Sequence, residues 1–235
     1  MKIAQILAPV ILVSLAACAS SKPADTDQGV GGEGNTAGTA EQASDKNPDG
    51  VPYPTDNIGT NPRLAKRPGN RIFNYKFLGY PDGDVSQGLQ PISLASFFDP
   101  EGKKYKMIHI QASGSWCVYC QKETELVTPL KAKLEAKKVV WIMSLAEGLS
   151  VGSPSTKGDL DKWMSNYKAP YTHVWDPGNK NFGVFYDAAA LPWNANIYAK
   201  TMEILSSGVG GVTTEADLMK ELDEQLKLID DGVVK

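Results

Sequence analysis

Two cysteines separated by two residues, Cys117 and Cys120, carry most of the chemical content of this chain; a third, Cys18, lies far upstream. A C-x-x-C pair can exchange disulfides, bind a metal or act as a staple. Here it falls where an apolar strand-like run gives way to a helical pattern. A cysteine at a helix N-terminus meets unpaired backbone N–H groups and the positive end of the helix dipole, and both favour its thiolate. A second cysteine one turn along can attack a mixed disulfide and release the product. A staple across two residues closes so small a loop that it constrains the unfolded chain little, which argues for reactivity. A zinc site needs four ligands of the right kind, and the domain is read as supplying too few. Peroxidase chemistry of the peroxiredoxin type would need a threonine shortly before its cysteine on a proline-rich loop, and none precedes Cys117.

The flanking elements must position these thiols. Lys106–Ala112 reads as a strand ending in the turn Ser113-Gly114-Ser115. From Cys117 to Lys137, apolar Leu126, Val127, Leu130 and Leu134 mark a helix with one buried stripe, kinked at Pro129. Val139–Leu145 is nearly all apolar, as in a strand covered on both faces. A loop over 148–155, a helix over Asp159–Tyr167 and a strand over Tyr171–Trp175 follow. Asn196–Ala199 and Met202–Leu205 read as paired strands. Thr214–Asp217 then caps a helix carrying Leu218, Leu222, Leu226 and Ile229. This order predicts an α/β domain with a mixed central sheet. His109, between Ile108 and Ile110, reads as a sheet residue packed against a helix. Trp141, Trp163 and Trp175 read as packing, whereas Trp193 could line a groove.

The stretch Ser115-Trp116-Cys117-Val118-Tyr119-Cys120-Gln121-Lys122-Glu123, on a helix after a strand, resembles the thioredoxin superfamily, in particular its membrane-anchored TlpA/ResA-like branch. Leu191-Pro192 ahead of the last two strands is a second point of likeness. The resemblance spans roughly residues 70–230. It implies a thioredoxin-like fold, with helices on both faces of the sheet, acting as a thiol-disulfide oxidoreductase. Cys117 would attack and Cys120 resolve, with no cofactor. Trp116, Leu191 and a cis Pro192 would shape the substrate groove. The buried aspartate of cytosolic thioredoxins would fall on Gln111, which cannot take a proton. Glu123 matches the glutamate that takes a comparable role in ResA-like proteins, although a solvated surface glutamate reads equally well. Val118-Tyr119 lacks both the histidine of strongly oxidising relatives and the Gly-Pro of strongly reducing ones. A copper site from Cys117, Cys120 and His173 has relatives, but those carry a longer cysteine spacing. The non-catalytic reading is a tethered thioredoxin-fold module with a structural bridge.

The rest of the chain sets the context. A net charge of −3 with no basic stripe argues against nucleic-acid binding. Lys2 followed by the apolar run Ile3–Leu15 reads as a signal peptide over 1–17. Leu15-Ala16-Ala17-Cys18 resembles a bacterial lipobox, which implies lipid on Cys18. Ala19 and Ser20 after it favour the outer membrane, with the domain in the periplasm or at the cell surface. Residues 18–62 then read as the lipidated cysteine and a disordered tether. Between 19 and 61 there are seven glycines, four prolines and four large apolar residues, Val30, Val51, Tyr53 and Ile58, too few to offset ordering entropy. The folded domain is expected over 63–235. Its expected partners are thiols and disulfides of exported proteins, a separate protein that resets the cysteines, and the membrane through the anchor, with the domain monomeric.

Overall fold

The structure, a computed structural model, describes residues 38–234. The expected signal peptide, the lipid-bearing Cys18 and the first part of the tether lie outside those residues. Seven strands form one sheet in the order β2-β1-β5-β4-β3-β6-β7: β1 Lys76–Tyr80, β2 Gln90–Ser93, β3 Met107–Gly114, β4 Val139–Glu147, β5 Thr172–Trp175, β6 Trp193–Tyr198 and β7 Glu203–Val209. β3, β4 and β5 are parallel, while β1, β2, β6 and β7 add antiparallel edges, so the sheet is mixed as the sequence predicts. The first two strands had no counterpart in the sequence reading. Lys76–Tyr80 is short, contains Gly79, and has buried and half-buried positions out of simple alternation.

The helices are α1 Val118–Val127, α2 Lys131–Ala136, α3 Lys157–Tyr167 and α4 Glu215–Asp230. The expected helix over 117–137 is interrupted by a 3-10 turn, Thr128–Leu130, because Pro129 cannot supply the backbone N–H. Thr156 and Thr214 cap α3 and α4 by accepting from Asp159 and Asp217 backbone N–H groups at 3.1 and 3.2 Å. On β3 the side chains alternate. His109 and Gln111 face the side covered by α1 and α4, with Asn194 and Asn196 of β6 beside them. On the opposite side Phe77 and Trp193 pack on Phe182 of a 3-10 turn, with ring centroids 5.1 and 5.8 Å apart.

The tether expectation is corrected over residues 38–62, which fold onto the domain. Tyr53 is buried, its hydroxyl donates to the Ile72 carbonyl at 2.7 Å, and its ring meets Phe98 edge-on. Asn47 is also buried. Its side chain donates to the Phe98 carbonyl and accepts from the Asp49 and Val51 backbone N–H groups. Asp45 pairs with Lys76 at 2.9 Å and accepts from Asn74. Composition counts how few apolar side chains a segment has. It does not register that one of them fills a core site while asparagines satisfy the surrounding backbone.

Candidate active site

Cys117 is the N-cap of α1. Its backbone N–H donates to the Gly114 carbonyl at the end of β3, and its Sγ accepts from the Cys120 N–H at 3.1 Å. The helix therefore begins on the first sulfur, as expected of a thiolate-stabilising N-terminus. Cys117 and Cys120 are joined as a disulfide with Cα atoms 5.2 Å apart. In this disulfide-bonded state both are buried, at 2% and 0% exposure. The exposed residues of the motif are the two between them, Val118 and Tyr119.

Trp116 is half-buried and anchored: its indole N–H donates to Glu147 Oε2 at 2.6 Å. Glu147 ends β4 and also accepts from the Gly152 N–H at 2.9 Å and the Asn179 amide at 3.3 Å. Trp116 Nε1, Leu191 Cδ1 and Glu147 Cβ all converge on Gly114, within 2.9 to 3.2 Å of where a Cβ would lie, so any larger residue would force a neighbour to shift. The Leu191–Pro192 bond is cis and both residues are buried. Pro192 accepts the Gly210 N–H through its carbonyl, and its Cγ and Glu123 Oε2 each lie 3.0 Å from where a Cβ on Gly211 would sit.

Glu123 lies one turn beyond Cys120 on α1, so the two share a helix face. It is 1% exposed, which excludes the solvated-surface reading. Asn194 Nδ2 donates to both its oxygens, at 3.2 and 3.1 Å, and the Val212 N–H donates to Oε1 at 3.1 Å. Burial pushes its carboxyl up to about 7 against the pull of these donors, with Glu221 adding repulsion. A carboxyl titrating near neutrality can take and return a proton under ordinary conditions. Gln111, under the motif, donates to the Cys120 carbonyl at 3.2 Å and accepts from the Trp141 indole.

The structure thus brings Cys117, Cys120, Trp116, Glu123, Leu191 and Pro192 to one end of the sheet. Trp193 departs from the groove reading, since it is buried among Phe182, Phe185 and Tyr186 on the opposite face. His173 is buried in β5 and bonded to the Tyr171 carbonyl, and burial lowers its imidazole to about 4. Among the described residues no three His, Cys, Asp or Glu side chains are grouped to hold a metal ion. Sequence reasoning passed over Glu147, Asn194 and Asn196. The period-2 placement of two asparagines in an otherwise apolar strand was the available signal.

No protein-family model and no curated protein matches the sequence. Solved structures do match. A protein provisionally assigned as thiol:disulfide interchange protein DsbE from Chlorobium tepidum superposes with a TM-score of 0.51 at 17% identity, over 68% of this chain and 97% of that one. A provisionally assigned protein disulfide isomerase from Bacteroides thetaiotaomicron gives 0.51 at 17% identity, over 72% and 96%. AhpC from Enterococcus faecalis gives 0.53 at 13% identity, over 70% and 95%. At such identities the likeness is one of fold, and the fold is thioredoxin-like.

Proposed function

We propose that this protein is a thiol-disulfide oxidoreductase acting on cysteines of exported proteins, held at a membrane by lipid on Cys18. The observation that carries the reading is the Cys117–Cys120 disulfide at the N-terminus of α1 with the buried, near-neutral carboxyl of Glu123 one turn behind it. In the reduced protein the Cys117 thiolate attacks a client disulfide. One client sulfur leaves as a thiolate and the other stays bonded to Cys117. Glu123 takes the proton of Cys120, whose thiolate attacks Cys117 Sγ, closing the Cys117–Cys120 disulfide and expelling the second client thiolate. Two electrons pass to the client, and a separate dithiol resets the pair. The same steps run in reverse for client oxidation, so the reduction potential relative to the compartment fixes the direction.

Trp116, Leu191 and Pro192 are the residues proposed to guide the client segment to Cys117. The reading further places the domain in the periplasm or at the cell surface, with the outer membrane favoured by Ala19 and Ser20. Among the described residues no helix is long and apolar enough to cross a membrane. The test is turnover of a model disulfide by the purified chain with a dithiol as reductant. The wild type should turn over and Cys117→Ser should not. Equal rates for the two would reject the proposal.

A further inference from the structure

The helix-covered face of the sheet carries a row of polar side chains that the exchange chemistry does not by itself call for. His109 of β3 sits between Asn194 and Asn196 of β6. Its Nδ1 is 2.8 Å from Asn196 Oδ1 and its Nε2 is 3.1 Å from Asn194 Oδ1. The Asn194 amide has only one workable orientation. Its nitrogen faces the Gly210 carbonyl at 3.0 Å and both oxygens of Glu123, and these are acceptors whenever Glu123 is ionised. Its oxygen must therefore face His109, and Nε2 must carry a hydrogen. Asn196 is held less firmly, by Ser206 Oγ, which can donate or accept, and by Glu221 Oε1 only at 3.4 Å. In the neutral ring it is therefore Asn196 that turns its amide nitrogen to Nδ1. The ring is clamped from the side by Trp141, stacked at 3.8 Å, whose indole N–H is held by Gln111.

We propose that His109 is a positioning residue for Glu123: by holding the Asn194 oxygen, it keeps the Asn194 hydrogens on the carboxylate and so sets the pH at which Glu123 ionises. The effect on client release rests on the function proposed above, but the coupling itself does not. The titratable groups facing this row are Glu123 from α1, Glu221 from α4, Tyr171 just before β5 and His109 itself. Glu221 opposes ionisation of Glu123 and favours a proton on His109, whereas burial disfavours charge on both. With water excluded, oriented hydrogen bonds are the chief stabilisation open to the carboxylate, so the orientation of one amide carries weight.

The experiment is a carbon-13 NMR titration of the Glu123 carboxyl in the full oxidised chain, as wild type, His109→Leu and His109→Gln. Leucine offers no hydrogen, and the midpoint should rise by about one pH unit. Glutamine can donate to the Asn194 oxygen and should restore most of that shift. An unmoved midpoint in His109→Leu overturns the proposal, and so does a His109→Gln midpoint matching that of leucine. Should His109→Leu fail to fold, nitrogen-15 spectra of the wild type decide. Nε2 must stay protonated throughout the Glu123 titration, and a bare Nε2 would overturn the proposal. Disulfide turnover measured in parallel separates the two ideas: an inactive wild type rejects the exchange function, while the titrations still decide the coupling.

Discussion

Asn194 donates to both carboxylate oxygens of Glu123, at 3.2 and 3.1 Å, across the interface between β6 and α1. This contact joins the strand after Pro192 to the helix that carries the cysteines, and it turns a helix-surface position into a buried acid.

The first expectation concerns pH. Burial raises the Glu123 carboxyl to about 7 in the folded protein, while an unfolded glutamate ionises near 4.5. Between those values the folded state holds a proton that the unfolded state has lost, so stability from this group is full below 4.5 and falls as pH rises through 7. Buried His173, lowered to about 4, works in the opposite sense between 4 and 6.5, so the two partly offset. Comparison with Glu123→Gln isolates the carboxyl. The variant should gain on the wild type by on the order of 3 kcal/mol between pH 4.5 and 7.5. Denaturant melts across that range would show it, and parallel curves would refute the burial argument.

The second expectation divides the cysteines by role. Cys120→Ser keeps the attacking sulfur but loses the resolving one, so it should accumulate mixed disulfides with clients. Cys117→Ser should accumulate none. Glu123→Gln should slow release of the mixed disulfide by about 10²-fold or more, the low end of acid–base contributions, with attack little changed. Stopped-flow kinetics with a chromogenic disulfide would read both steps.

A third concerns the packing beside the motif. A methyl group on Gly114 would fall 2.9 Å from Trp116 Nε1 and 3.1 Å from Leu191 Cδ1, so Gly114→Ala should push the indole off Glu147. The indole N–H resonance of Trp116 should shift, and stability should drop by about 1–3 kcal/mol. An unchanged resonance would mean the strand end yields instead.

The amino-terminal segment supplies a fourth. A chain starting at Arg63 loses Tyr53 and Asn47 from the core and uncovers the Ile72 and Phe98 carbonyls. Its unfolding free energy should fall by about 3 kcal/mol or more, the scale of deleting a buried aromatic. Equal midpoints for the two chains would show that the docked segment contributes nothing to stability.

The fifth tests anchoring. Wild-type protein expressed with its leader should partition with membranes and carry lipid on Cys18, and Cys18→Ser should be neither lipidated nor retained. Unchanged partitioning of the variant would reject the lipobox reading.

What the sequence alone determined is what local forces decide. The strand through Met107–Ala112, the helix start at Cys117, the break at Pro129 and the cap at Thr214 follow from spacing, N–H supply and side-chain reach within a few residues. The cysteine chemistry was legible for the same reason, since its two sulfurs and its helix terminus are neighbours in the chain. Only the tertiary structure decided the environment of Glu123, because its partners Asn194 and Val212 lie 71 and 89 positions away. Whether a helical glutamate is solvated or buried depends on what closes over it, and no helical periodicity encodes that. The docking of residues 38–62 and the placement of His109 between two asparagines were hidden likewise. Each depends on a few polar side chains meeting across long separations, where satisfying one backbone carbonyl or one imidazole outweighs the composition of the surrounding segment.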